Sequence, residues 1–397
     1  MVKVATGLDV LCNDFHLQKE FKGNVALLCH NASVDKGFVP AAVRFKELFG
    51  SRFIKLFGPQ HGFSTDAQDN MIETDHYVHP HFKFPVYSLY SETRVPTDEM
   101  LNGIDHFFVD LQDVGCRMYT YIYSLTLLLE KCIDRDIEVI VLDRPNPLNG
   151  ITLEGNVLDP KYASFIGRHP IPVRHGMTIG EVGLMHQKYW ADKPMNYRVI
   201  KMRNWERNMY FEDTGLSWLL PSPNLSRYES AMTFPGIVLF EGTQLSEGRG
   251  TTQSLELVGH PSIEPFGWYD RHLKQALEKS GLKGVAIRPI TFLPTFNKHA
   301  DSVCGGFQIH VTDRNVFQPW RVGQWLLREL YHLMEGDFKW LQPPYEYDYT
   351  NMPIDIINGT DRLRCWVEQK GSLQMLGSLE NYSDYEPKFR AIQIYWS

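Results

Sequence analysis

Four segments share one pattern, an apolar run that breaks into a polar loop: Val25-Ala26-Leu27-Leu28-Cys29-His30-Asn31, Phe53-Ile54-Lys55-Leu56-Phe57-Gly58-Pro59-Gln60-His61-Gly62, His106-Phe107-Phe108-Val109-Asp110-Leu111-Gln112-Asp113-Val114-Gly115 and Val139-Ile140-Val141-Leu142-Asp143-Arg144-Pro145-Asn146-Pro147. Continuous apolar runs suit strands buried on both faces, and open parallel sheets bind ligands outside the carboxyl ends of such strands. Helical patterns over 41–49, 97–101 and 119–133 separate the runs, with Thr97 placed as an N-cap. Strand and helix in alternation predict a doubly wound α/β domain with right-handed crossovers. A further helix starts at Thr178, where Thr178-Ile179-Gly180-Glu181 has capping-box spacing, so Glu181 is either a cap partner or a functional carboxylate.

The character changes after the turn-rich Pro221-Ser222-Pro223-Asn224. Residues 236–240 read as a strand entering the glycine-rich loop 241–252, residues 306–311 as a strand, 320–334 as a helix and 389–396 as a closing strand. This predicts a smaller α+β domain, with the division at 1–225 and 226–397. A chain of 397 residues is too long for one comfortable core, and 43% apolar residues can fill two.

A net charge of -7 without long runs of either sign argues against a nucleic-acid partner. Cys12, Cys29, Cys116, Cys132, Cys304 and Cys365 are scattered, which reads as free thiols. The sequence has no signal-peptide run and no apolar stretch of about 20 residues. As written the chain is expected in the cytoplasm, and a chain trimmed of an export signal would look the same. Its oligomeric state is not legible.

The strand-end loops gather His30, Asn31, Gln60, His61, Asp110, Gln112, Asp113, Asp143, Arg144 and Asn146. Each has a structural reading as cap, turn or ion-pair partner, but burying the whole set without a ligand is costly. There is no G-x-G-x-x-G after the first run, no G-x-x-x-x-G-K-[ST] and no G-x-S-x-G, which argues against nucleotide cofactors and serine hydrolysis. His30, His61, Asp110, Asp113 and His175 could ligate a metal, yet no spacing fixes two of them on one element, so no metal is assigned. Acetal hydrolysis by paired carboxyls is the other option. Asp110, Asp113, Glu154, Glu181, Glu241 and Glu247 are available for it, with Arg117, Tyr119, Tyr121 and Arg249 as sugar-binding groups.

Gly58-Pro59-Gln60-His61-Gly62, Asp110-Leu111-Gln112-Asp113-Val114-Gly115 with Arg117-Met118-Tyr119-Thr120-Tyr121, and Asp143-Arg144-Pro145-Asn146-Pro147-Leu148 occur in that order. Glu154-Gly155, Ile171-Pro172-Val173-Arg174-His175-Gly176-Met177-Thr178, Pro221-Ser222-Pro223-Asn224 and Glu247-Gly248-Arg249-Gly250-Thr251 follow. The set resembles the NamZ-type exo-β-N-acetylmuramidases over nearly the whole chain. The resemblance implies a Rossmann-like doubly wound, mostly parallel sheet bearing the active site, and a second, smaller α+β domain closing the cleft. It also implies a bacterial glycosidase of cell-wall recycling that needs no cofactor and releases N-acetylmuramic acid from the non-reducing end of peptidoglycan fragments.

Many members carry Glu where this chain has Gln60, and an amide cannot serve as a general acid. Glu154, Glu247 and Asp113 are then the candidate acids. Arg117, Arg144, Arg174 and Arg249 are the pool for the lactyl carboxylate, which guanidinium pairs bidentately. His61 and His175 would orient water or the acetamido group; Gln60, Asp110, Tyr119, Tyr121, Asn146 and Asn224 complete the expected saccharide site. Asn70-Met71, after Ala67-Gln68-Asp69, also departs from the commoner pattern. Two alternatives stay open: a muropeptide-binding protein with altered catalysis, and a metal-dependent hydrolase of another substrate.

Overall fold

The computed structural model describes residues 3–68, 72–373, 375 and 380–396, so Asp69, Asn70 and Met71 lie outside the described residues. The four apolar runs become strands β1 (Val25–Cys29), β2 (Phe53–Gly58), β5 (His106–Asp110) and β6 (Glu138–Leu142), joined by β3 (Tyr77–Val78), β4 (Pro85–Ser88) and β7 (Tyr197–Ile200). They form one seven-stranded sheet in the order β3-β4-β2-β1-β5-β6-β7, in which only β3 runs antiparallel to its neighbour. The chain winds outward from β1 through β2 to β4, then restarts at β5 on the other side. That reversal, between β1 and β5, is where a doubly wound sheet opens a crevice.

Alternate residues of each strand face opposite layers. Val25, Leu27, Phe53, Phe108 and Ile140 pack with Leu8, Leu11, Phe45 and Phe49, from helices Gly7–Asn13 and Ala41–Phe49. Ala26, Leu28, Phe107, Val109 and Val139 face the other way, onto Leu125, Leu128 and Leu129 of helix Tyr121–Cys132. This second core continues without a break into Phe307, Trp320 and Trp325 of the second domain. The domains therefore share apolar surface rather than merely touching.

The second domain holds an antiparallel sheet, β8 (Leu257–His260), β9 (Val285–Phe292) and β10 (Cys304–Val311), in the order β8-β10-β9. The expected helix near 320–334 is Pro319–Leu333, but the expected strand over 236–240 is not one. Helix Tyr228–Ile237 runs straight into a 3-10 turn, Val238–Gly242. Almost every residue from 228 to 242 is buried, so the run is apolar in all directions and its period is hidden. Gly236 is there for packing: a Cβ on it would lie 2.0 Å from the Pro319 carbonyl oxygen, and one on Gly323 would lie 2.3 Å from the Gly236 oxygen.

The expected closing strand over 389–396 is also absent; Glu386–Arg390 is a helical turn and the chain then continues without a strand. This segment packs back on the first domain. The Tyr395 hydroxyl donates to Asp143 Oδ2 at 2.7 Å and the Ile394 amide to Glu181 Oε1 at 3.0 Å. The six cysteines are free, four buried and Cys12 and Cys365 half-buried. No helix among the described residues is long and apolar enough to cross a membrane.

Candidate active site

The loop after β2 folds back on itself at Gly58, where a Cβ would meet the Phe63 amide nitrogen at 2.4 Å. His61 and Gly62 follow with φ of 71° and 80°, a conformation that glycine adopts freely and histidine only under constraint. This tight turn presents Gln60 and His61 to a cavity between the two domains. The first domain also contributes Tyr119, Thr120, Ile166, Ser222 and Asn224, and the second contributes Phe234, Glu241, Arg249, Tyr345 and Glu346.

His61 Nδ1 donates to the Ala67 carbonyl at 2.7 Å, which leaves Nε2 as an acceptor. Burial lowers its pKa to about 4, against the raising effect of the Ala67 bond, so the ring is neutral near pH 7. Asn224 is pinned by its amide bond to the Gln68 carbonyl at 2.6 Å. The Tyr119 hydroxyl is buried without a hydrogen-bond partner among the described residues.

Arg249 lies between two carboxylates, donating to Glu247 Oε1 and Glu241 Oε1 at 2.5 Å each. The far oxygen of Glu247 takes Lys298 Nζ at 2.9 Å, and that of Glu241 takes the Tyr345 hydroxyl at 2.7 Å. Burial alone would raise the Glu247 carboxyl, but the charges of Lys298 and Arg249 and their hydrogen bonds hold it down at about 2. A carboxyl so firmly ionised is unsuited to donate a proton at neutral pH; its geometry is that of an anchor for Arg249.

Glu154, a second candidate acid, lies outside this cavity. Its carboxylate accepts from the Trp320 and Arg321 amides, 2.8 and 3.2 Å, at the amino end of helix Pro319–Leu333, and pairs with Arg174 at 3.2 Å. It thus binds one domain to the other, with help from the helix dipole. The third, Asp113, accepts from the Gly115 amide at 2.7 Å and faces His175 Nε2 at 3.6 Å, while its Oδ1 is buried and unpartnered among the described residues.

The other expected binding residues are also engaged away from the cavity. Arg144 grips Asp110 through two bonds, 2.6 and 2.8 Å. Arg117, fully buried, donates to the carbonyls of Asn156, Ile171, Ile357 and Asn358. Tyr121 donates to the Pro221 carbonyl at 2.6 Å, and Asn146 to the Met177 carbonyl at 2.9 Å. His175 Nδ1 accepts the Met177 amide at 3.1 Å. Glu181 caps its own helix and pairs with Arg207, the structural one of its two readings. Of the expected residues, Gln60, His61, Tyr119, Asn224, Glu241 and Arg249 line the cavity.

The sequence reading omits one residue of this site, Glu346, and Arg94, whose charge acts on it. Glu346 lines the cavity, and Arg94 lies over the Tyr90 ring at 4.0 Å and the Tyr347 ring at 4.7 Å. The signal was a carboxyl inside Pro343-Pro344-Tyr345-Glu346-Tyr347, two prolines followed by an acid between aromatics. Glu346 and Tyr347 have φ of 46° and 65°, a costly conformation for residues with a Cβ.

One group among the described residues could converge on a cation: Glu130, His169 and His186. Arg168 already holds both Glu130 oxygens, at 3.2 and 3.1 Å, and none of the three residues lines the cavity.

Two family models divide the chain between them. The amino-terminal model of the exo-β-N-acetylmuramidase NamZ matches residues 25–229, and the carboxy-terminal model matches residues 232–395. The chain belongs to the NamZ family. It is 41% identical over 341 residues to the peptidoglycan β-N-acetylmuramidase NamZ of Bacillus subtilis, covering 85% of this chain and 80% of that protein. Crystal structures of two DUF1343 family proteins of Bacteroides fragilis match over the full length of both chains, with TM-scores of 0.85 and 0.74 at 27% and 24% identity. Residues matched by both family models line the cavity.

Proposed function

We propose that the chain is a glycosidase that removes N-acetylmuramic acid from the non-reducing end of peptidoglycan fragments, and that the interdomain cavity is its active site. One observation carries the reading: Gln60, His61, Asn224 and Arg249, which come from family motifs in both halves of the chain, converge on that cavity. Gln60 and His61 would hold the acetamido group or water by hydrogen bonds. Tyr119 would support the sugar ring. Arg94, whose charge acts on Glu346, would meet the lactyl carboxylate. The reaction consumes water and would need no cofactor.

The test is hydrolysis by the purified full-length chain of a 4-nitrophenyl β-N-acetylmuraminide and of the matching N-acetylglucosaminide. Release of nitrophenol from the first and not the second is expected. Gln60 favours a second reading, a saccharide-binding protein without turnover. Calorimetric binding of the intact disaccharide with no cleavage of either substrate would establish that one instead.

A further inference from the structure

The carboxyls around the cavity are not equivalent. Both oxygens of Glu247 and both of Glu241 are taken by cations or a hydroxyl. Glu346 is different: the residue is 7% exposed, and its Oε2 is fully shielded without a hydrogen-bond partner among the described residues. A buried anionic oxygen left unpaired is costly, so this carboxyl favours its protonated form, which holds a proton at the cavity wall. Gln60 lies in the wall of the same cavity, on the opposite domain.

Resting on the glycosidase reading above, we infer that Glu346 is the catalytic acid of this chain, supplying from the second domain the proton that an amide at position 60 cannot. Its O–H protonates the glycosidic oxygen as the bond from that oxygen to the anomeric carbon breaks. The bonding pair stays on the oxygen, which leaves as an alcohol. Water then bonds to the anomeric carbon through its oxygen, and its surplus proton returns to the Glu346 carboxylate. One water is consumed per bond cleaved and the carboxyl is restored.

The surroundings hold the proton in place near neutrality. Burial first and the Glu241 carboxylate second raise the Glu346 pKa to about 7, with Arg94 pulling the other way. The remaining groups that face it leave this balance unchanged at neutral pH. The Tyr90 and Tyr345 hydroxyls titrate above their ordinary range because they are buried, and Tyr347 is shifted upward too. Burial keeps His61 neutral down to about 4, and Arg249 is held charged by Glu241 and Glu247.

The deciding measurement compares Glu346→Gln with wild type on two substrates, the natural disaccharide and a 2,4-dinitrophenyl glycoside, whose leaving group needs no proton. The variant is expected to lose about 10²- to 10⁴-fold in kcat on the disaccharide, the usual worth of a general acid. Its kcat on the activated glycoside should stay within about threefold of wild type, and the alkaline limb of its pH profile should vanish. Equal losses on both substrates, or no loss on either, would overturn the assignment. Wild type that cleaves neither substrate sinks the glycosidase reading itself and this inference with it. If the variant does not fold, the wild-type rate on the disaccharide decides: a tenfold fall per pH unit above about 7 supports Glu346, and a flat profile to pH 9 overturns it.

Discussion

The Thr120 hydroxyl donates to the Gln60 side-chain oxygen at 2.6 Å, which fixes the amide and leaves its NH₂ as the donor it can offer to the cavity. A carboxylate at position 60 could accept the same bond, so Gln60→Glu should keep the loop in place. What changes is the charge. Another anion in the cavity disfavours ionisation of Glu346, and the alkaline limb of the rate profile should move up by about half to one pH unit. Rate profiles of the variant and wild type on the disaccharide check this. A limb that stays where it was would show that position 60 and the titrating acid are not coupled.

Glu154 is held by two backbone amides and Arg174, so its loss should appear in stability rather than chemistry. Glu154→Gln keeps an acceptor for the amides but leaves Arg174 buried without its counter-charge. A broken buried pair costs about 3–5 kcal/mol, and the lower end is expected here. Urea unfolding would measure the loss. The rate per folded molecule should stay within about threefold of wild type, whereas a drop of about a hundredfold would return Glu154 to the chemistry.

Arg94 is stacked between Tyr90 and Tyr347, donates to the Ser91 carbonyl and the Tyr347 hydroxyl, and lies 3.3 Å from the exposed Glu73, the weak partner that an incoming carboxylate could replace. Arg94→Ala should raise KM for a muramic acid glycoside by about ten- to a hundredfold, the worth of one charged hydrogen bond. The methyl ester of the same substrate, which lacks that charge, should be affected far less. Equal effects on acid and ester would remove Arg94 from recognition. The substitution should also move the alkaline limb upward, because Arg94 lowers the Glu346 pKa.

The sheet was legible because Val25 to Cys29 and its sister runs are buried on both faces, as strands of a covered parallel sheet are, and each is short and ends in a polar loop. The strand-end loops were legible for the same reason, and Gln60 and His61 do face a cavity. What could not be read was the fate of each charge. Arg144 meets Asp110 and Arg174 meets Glu154 across 34 and 20 residues, and nothing local distinguishes a guanidinium spent on such a pair from one held for substrate. Glu346 lay hidden for a related reason. Its shielding comes from the meeting of two domains, and no pattern within its own loop records that.

The far end of the chain offers a check on how charge and packing combine. Asp143 accepts from the Tyr395 hydroxyl, the Thr178 hydroxyl and the Gly180 amide, at 2.7, 2.7 and 2.8 Å. Burial raises its pKa from 3.8 to about 7, against the pull of these bonds. Because the folded value lies above the unfolded one, Asp143 favours folding fully below pH 3.8, and this contribution declines as pH rises to about 7. Tyr395→Phe removes a donor that matters most to the anion. Its cost should therefore be about 2 kcal/mol at pH 8.5, where the bond is to a charged oxygen, and about 1 kcal/mol at pH 5.5, where it is to a neutral one. Urea unfolding at the two pH values measures both. An equal cost at each would mean that Asp143 holds the same protonation state throughout, and a negligible cost at both would mean that the terminal segment is not bound through this hydroxyl.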